Sequence, residues 1–320
     1  MSDVCHIVTV PIKAMGCVDV ELVLCILLLD YYPPTITMAV VPRSHAAEKD
    51  NLGGETFHKF FDCWMEEQSK HLKDLTAAES THHTDVLVLQ ALIDQVMDHY
   101  EHYYKAKSRF AKQDVLAMLS PTWRSSLEEA FLWIGGWRPS VAFHLLYSKS
   151  GLQFEARLDE LIRGQRTHDL GDLSASQLAK FDEMQRRTVL EERKITDIMA
   201  RHQETVADAS MVELSHVVSE MIRANETIGG GVNENKEIED KVDSTLAPKE
   251  EGLEKILLKA DELRLRTLQD IVHILTPKQA IHFLIAAAEL HLRLHEWGKK
   301  KDAEKGNQGF GEGESHDSSS

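Results

Sequence analysis

Phe57-His58-Lys59-Phe60-Phe61-Asp62-Cys63-Trp64-Met65 is the stretch that sets the fold class. Phe57, Phe60, Phe61, Trp64 and Met65 recur at spacings of three and four, which stacks them on one face of a helix. Lys59, Asp62, Glu66 and Lys70 fall on the other side. A stripe this aromatic requires a facing surface to cover it. The following segment repeats the pattern, with Val86, Leu89, Ile93, Val96 and Tyr100 on one side of a helix expected from Thr84 to Leu119.

Further along, punctuation and period agree. Ser120-Pro121-Thr122 breaks the helix, because proline restricts the residue before it. Ser126 is placed to cap a short helix over Leu127–Ile134, and Gly135-Gly136 to end it. Pro139 suits the first turn of a helix from Ser140 to Ile162. A polar loop over Gly164–Gly171 leads to Ser174, the start of a long helix that carries Leu178, Phe181, Met184 and Val189 inward and runs to Ile222. Asn225–Glu251 holds Gly229-Gly230-Gly231 and many acids, and reads as a disordered loop. Helix resumes from Leu253 to Leu275. Thr276-Pro277 then opens a last helix that reaches Trp297, and the polar tail Lys299–Ser320 is expected to be disordered. The expectation is an all-α multi-helix bundle, with the Phe57–Trp64 stripe and the last helix in one core.

Residues 1–54 differ from the rest. Val18–Leu29 is apolar but contains Asp19 and Glu21, and at about 12 residues it is short of the roughly 20 that a membrane span needs. These residues read as an atypical, disordered extension, with residues 55–298 as the folded domain and 225–251 as its flexible loop. Cys5, Cys17, Cys25 and Cys63 form no CxxC pair, which points to a reducing compartment. Of 320 residues, 52 are acidic and 36 are Lys or Arg, a formal charge of −16. An acidic surface repels a phosphate backbone, so direct DNA binding is not expected.

Several clusters imitate functional sites. Glu191, Glu192, Arg193, Lys194 and Asp197 have no histidine at metal spacing, and read as the solvated face of a long helix. Trp133-Ile134-Gly135-Gly136-Trp137-Arg138 lacks the spacing of a phosphate loop and reads as a tight corner with two core tryptophans, with Arg138 directed toward Glu128 and Glu129. Trp64, Trp123, Trp133, Gly135, Gly136, Trp137, Arg138 and Pro139 are the residues expected to carry structure or interaction. With His282 at zero on a wheel of about 100° per residue, His291 falls near 180° and His295 near 220°. The pair lies on the apolar face, with Lys278, His282, Glu289, Arg293 and Glu296 opposite. Two readings stay open: core histidines bonded to backbone or carboxylate, or metal ligands. Two histidines one turn apart project the same way, so they cannot be trans ligands of one iron, and zinc would want a third ligand. No nucleophile–base constellation stands out, so no enzyme is expected.

Five ordered blocks carry a family resemblance. They are Phe57–Trp64, Tyr103-Tyr104-Lys105-Ala106-Lys107, Leu127–Ser140, Asp172–Leu178, and Ala260-Asp261-Glu262-Leu263-Arg264 with Ile274–Gln279. Together they resemble the DOG1 (Delay of Germination) domain of plants, which also forms the C-terminal half of TGA-type bZIP factors. Nothing before Thr56 shows the clustered basic residues and leucine heptads of a bZIP region. The resemblance implies a non-enzymatic regulator of seed dormancy, maturation or development, acting by protein–protein contact in the nucleus or cytoplasm. Type 2C phosphatases or bZIP factors are the implied partners, with a homo- or hetero-dimer as a further possibility and no membrane. It also implies haem as a cofactor at His291 and His295, at most one of them ligating directly and the other standing beside it.

Overall fold

A computed structural model describes residues 57–81, 85–228 and 232–309, an all-α architecture without a β-strand among the described residues. The expectation for residues 1–54 lies outside them. The elements are α1 (Phe57–Ser80), α2 (Val86–Ala111), α3 (Val115–Leu119), α4 (Ser126–Ala130), α5 (Val141–Ala156), α6 (Leu158–Ile162), α7 (Ala175–Glu204), α8 (Ala209–Ile228), α9 (Val232–Ile274) and α10 (Pro277–Gly309). Short 3-10 turns at Leu170–Asp172 and Thr205–Ala207 join them.

α1, α2 and α10 form the main core. Phe57, Phe61 and Trp64 of α1 are buried with Leu89, Ile93, Val96 and Tyr100 of α2 and with Ile281, Phe283 and Leu284 of α10. The aromatic stripe and the last helix thus share one core, as their periods require. α9 packs antiparallel on α7, and Ile195, Ile256, Ala260 and Leu263 make a second, smaller cluster. Ser174 caps α7 with a reciprocal Ser–Gln box, Gln177 answering from the third position.

The boundaries depart from the sequence reading at positions where a side chain competes with the helix. Asp114 accepts from the Ala117 N–H at 2.8 Å and starts α3, so the helix expected over 84–119 is two. Ser125, not Ser126, is the cap of α4, which ends at Ala130. Pro139 precedes the capping residue Ser140 of α5 rather than lying inside the helix, and Arg157 parts α5 from α6. Asp208 accepts from the Met211 N–H at 3.0 Å, which separates α7 from α8. The acidic stretch read as a loop is helical from Val232 onward. Its few apolar residues, Ile238, Val242 and Leu246, fall four apart and form a narrow half-buried stripe. α10 continues past Trp297 to Gly309, into the segment expected to be disordered.

The corner at residues 133–137 holds these layers together. Ile134 (φ 46°) and Gly135 (φ 67°) take left-handed backbone angles, so the chain reverses in two residues. A Cβ at Gly135 would lie 2.7 Å from the Met118 carbonyl oxygen, and one at Gly136 would lie 2.8 Å from Cζ of Arg264. Arg264, on α9, is 0% exposed and sits inside the corner. Its Nε donates to the Trp137 carbonyl at 2.6 Å, and its Nη2 donates to the carbonyls of Ile134 (2.8 Å) and Trp133. Asp261, one turn earlier, accepts from Arg264 Nη1 and from Lys107 Nζ at 3.0 Å. Lys107 also donates to the Gly135 carbonyl at 2.8 Å.

Only a planar fork of donors reaches three carbonyls and a carboxylate at once. Arg264→Lys is expected to destabilise by about 3–5 kcal/mol, because it leaves buried polar groups unpaired. Gly136→Ala should cost about 1–3 kcal/mol by overpacking. Urea unfolding measures both, and a loss under about 1 kcal/mol for Arg264→Lys would remove the clamp from this account.

Candidate functional site

The last helix meets α4 through one carboxylate. Glu128 is the third residue of α4, and its Oε2 accepts from the Ser125 N–H (2.9 Å), the Ser125 hydroxyl (2.7 Å) and His295 Nδ1 (2.8 Å). Burial pushes the Glu128 carboxyl up, but the bonds from His295 and Ser125 outweigh it and leave the pKa at about 2. Oε1 of Glu128 is buried with no hydrogen-bond partner among the described residues. Close approach is possible because residue 298 is glycine: a Cβ there would lie 2.0 Å from Ser125 Oγ. One turn further, Asp302 accepts from the Ser126 N–H at 2.8 Å and from its hydroxyl. α10 therefore caps α4 with its own carboxylate, which is why it persists past Trp297.

His291 lies one turn before His295. Its ring packs on Trp64 with centroids 5.6 Å apart, and burial holds its pKa at about 4. Trp64 stacks on His99 at 4.5 Å and donates Nε1–H to the His99 carbonyl at 3.2 Å. His71 stands 4.8 Å from His99. Burial, with His71, His102 and His291 adding to it, lowers His99 to about 3. The imidazoles of His99 and His291 around Trp64 are thus neutral at pH 7. His282, on the opposite side of α10, lies 3.0 Å from Glu79 and 3.2 Å from the Gln153 amide.

For an iron or other metal the histidine pair is unequal. The Nδ1 of His295 is committed to Glu128, the arrangement by which carboxylates orient histidines around metals. His291 is a neutral imidazole with no hydrogen bond among the described residues. If a metal were bound here, His291 would be the residue to hold it and His295 the one oriented beside it by Glu128. No cluster of three or more His, Cys, Asp or Glu suited to a metal occurs among the described residues. Two clefts, of about 680 and 350 Å³, are lined by residues of α7 and α9 and by neither histidine.

Trp64 and Trp123 are buried in the main core. Trp133 and Trp137 are only half-buried, at the edge of the corner. Their indoles donate to Thr196 Oγ1 and Tyr104 Oη, each at 3.0 Å. Gly135, Gly136 and Pro139 are buried in the corner and its exit. Arg138 does not reach Glu128 or Glu129. It donates to Glu192 Oε2 at 2.8 Å, while Glu192 Oε1 accepts from the Ser140 N–H at 2.5 Å. Glu192 is 0% exposed, so it leaves the solvated face assigned to its cluster. Its signal was register: Thr188, Glu192 and Ile195 are all buried, at spacings of four and three. From the sequence, Glu128 is expected only as a partner of Arg138, and Lys107, Asp261 and Arg264 enter only through the blocks that carry the family resemblance.

The sequence matches the DOG1 family, described as "Seed dormancy control", over residues 71–148. It is 33% identical to Protein DOG1-like 3 of Arabidopsis thaliana, over 76% of this chain and 83% of that protein. Protein DOG1-like 4 of the same plant is 31% identical, over 78% of this chain and 95% of its own length. Transcription factor TGA5 is 27% identical over 79% of this chain, but only 66% of TGA5 is covered.

The lowered pKa values give a pH dependence of stability. The unfolded chain binds protons on His99 and His291 from the ordinary value of 6.5, and the folded chain only near 3 and 4. Stability is therefore full above pH 6.5 and falls as pH drops toward 4 and then 3, with loss of the Glu128 contribution adding to it as pH falls toward 2. Thermal melts from pH 7.5 to 4 should show this decline, and His99→Gln should flatten it. An unchanged slope in His99→Gln would refute the assignment.

Proposed function

The chain belongs to the DOG1-like family, and on that footing we propose that it is a non-enzymatic regulator of seed dormancy, maturation or development that acts by binding another protein. The observation that supports this is an apolar surface on α5 and α6. α5 carries apolar residues beyond its buried side: Ala142, Phe143 and Leu146 face the core, while Leu152 and Phe154 are exposed. Leu158 and Ile162 continue the exposed run, Ile162 at 74% exposure. Exposed apolar residues grouped in this way are the composition of a docking surface. Among the described residues no helix is long and apolar enough to cross a membrane.

The partner proposed is a type 2C phosphatase, from the family resemblance. A second reading, supported by the similarity to TGA5, is co-regulation of transcription through a bZIP partner in the nucleus. The net charge of −16 speaks against direct contact with DNA in either case.

Calorimetry of the full chain against a purified type 2C phosphatase and against a TGA-type bZIP factor separates the readings. Phosphatase binding that falls at least about tenfold in a Leu152→Glu, Ile162→Glu variant supports the first. Binding to the bZIP factor alone moves the conclusion to the second, and binding to neither overturns both. For haem, the neutral His291 is the proposed iron ligand, with His295 oriented by Glu128. Haem would supply a Soret band that His291→Ala abolishes and His295→Ala only weakens. A Soret band unchanged in His291→Ala would remove haem from this place.

A further inference from the structure

The cleft of about 350 Å³ lies where the C-terminal end of α7 passes the middle of α9. Its floor is apolar, made by Ile198 and the buried Ile256. Its rim carries Arg201, Lys255 and Lys259. This is an unusual grouping in a chain with 52 acidic and 36 basic residues. Lys255 is paired with Glu251 at 2.6 Å. Arg201 and Lys259 have no ion pair or hydrogen bond among the described residues. Two cations that could have been neutralised by a chain rich in carboxylates are left open beside an apolar floor.

The end of the cleft is shaped by a single close contact. His202 Nε2 lies 2.8 Å from the Lys249 carbonyl, which can only accept, so Nε2 carries the proton. The ring lies flat against α9 because residue 252 is glycine, where a Cβ would be 2.3 Å from His202 Cε1. Lys249 in turn donates to Asp208 at 2.7 Å and to the Thr205 carbonyl at 2.8 Å, which fixes the turn after α7. That end of the cleft is therefore fixed by contacts between two long helices, while Arg201, Lys255 and Lys259 reach out from the rim into solvent.

We propose that this cleft binds a small organic phosphate, a phosphomonoester on an apolar or aromatic body. The doubly charged head would draw on the two rim cations, Arg201 offering a planar fork and Lys259 a point charge. The apolar body covers Ile198 and Ile256. The volume is at the lower end of that of small-molecule pockets, which run from about 300 to 1,000 Å³. The site is separate from the apolar surface of α5 and α6 and from the histidines of α10, so it does not rest on the function proposed above.

Titration calorimetry of the full chain with phenyl phosphate, inorganic phosphate and benzoate tests it. One site is expected, with phenyl phosphate at least about tenfold tighter than either of the others. Arg201→Gln and Lys259→Gln should each weaken phenyl phosphate by about tenfold, the loss of one charge-assisted contact. Arg193→Gln, an exposed change of the same charge on the same helix, should alter it less than twofold. Equal affinity for inorganic phosphate would overturn the role of the floor. No loss in the two cleft variants, or an equal loss in Arg193→Gln, would overturn the site itself.

Discussion

Arg264 inside the corner at 133–137 is the interaction on which the other contacts depend. The corner turns in two residues: Trp133 and Gly136 bond each other across it, while the carbonyls of Ile134 and Trp137 find no backbone donor among the described residues. A buried carbonyl without a donor costs about 1–3 kcal/mol, and these two, with that of Trp133, meet one guanidinium. The guanidinium could not be buried alone, and Asp261 balances it from the next turn of the same helix. Lys107 then draws on the same carboxylate from α2, and burial lowers its pKa to about 7 against the pull of Asp261. The backbone oxygens of the corner let two cations share one acid in a dry interior. Three segments distant in sequence are fixed to one another by this shared set of buried bonds.

The seam of the last helix follows from that clamp. α4 has five residues, far too few to persist alone. Its C-terminal side runs directly into the corner held by Arg264. Its N-terminal side is held by Ser125, Glu128, His295 and Asp302. Glu128 is set in place from one end so that it can receive His295 at the other. Beyond the corner, Arg138 and Ser140 both reach Glu192, which ties α5 to α7. Polar bonds thus pass from α10 through α4 and the corner to α7, while the aromatic side chains of α1 and α2 pack with α5, α9 and α10 in the main apolar core.

What could be read from residues alone was decided by period. The stripe at Phe57, Phe60, Phe61 and Trp64 was legible because an aromatic face at spacings of three and four has one solution. The cap at Ser174 was legible because its glutamine partner is local. Glu192 was not, because a charged residue amid other charges carries no mark of burial except its register with Thr188 and Ile195. Arg264 was illegible for a related reason: its partners are carbonyls over a hundred positions away, and carbonyls have no sequence signature. Residues 232–251 were read as loop from glycines and acids. Their helix is held by a stripe of only three apolar residues, below the density that a periodicity argument can detect. His291 and His295 were placed on the right face, yet their difference in role came from Glu128, which is 167 positions from His295.

The length of α9 places the phosphate cleft. At 43 residues it is roughly 65 Å long, longer than the core it crosses. Its second half carries Leu257, Asp261, Arg264 and Ile271 into the interior, while its first half pairs with α8 through a half-buried stripe. The change from one environment to the other falls at Lys249–Gly252, where His202, Asp208 and Thr205 gather around a lysine and a glycine. A helix that leaves a core is least supported at its point of exit, since contacts on one side end there. The cleft occupies that point. An anion seated between Arg201 and Lys259 would bridge the end of α7 to α9 beside the smaller cluster of Ile195, Ile256, Ala260 and Leu263, so occupancy would act on the attachment of the α8–α9 pair and leave the clamped core unchanged.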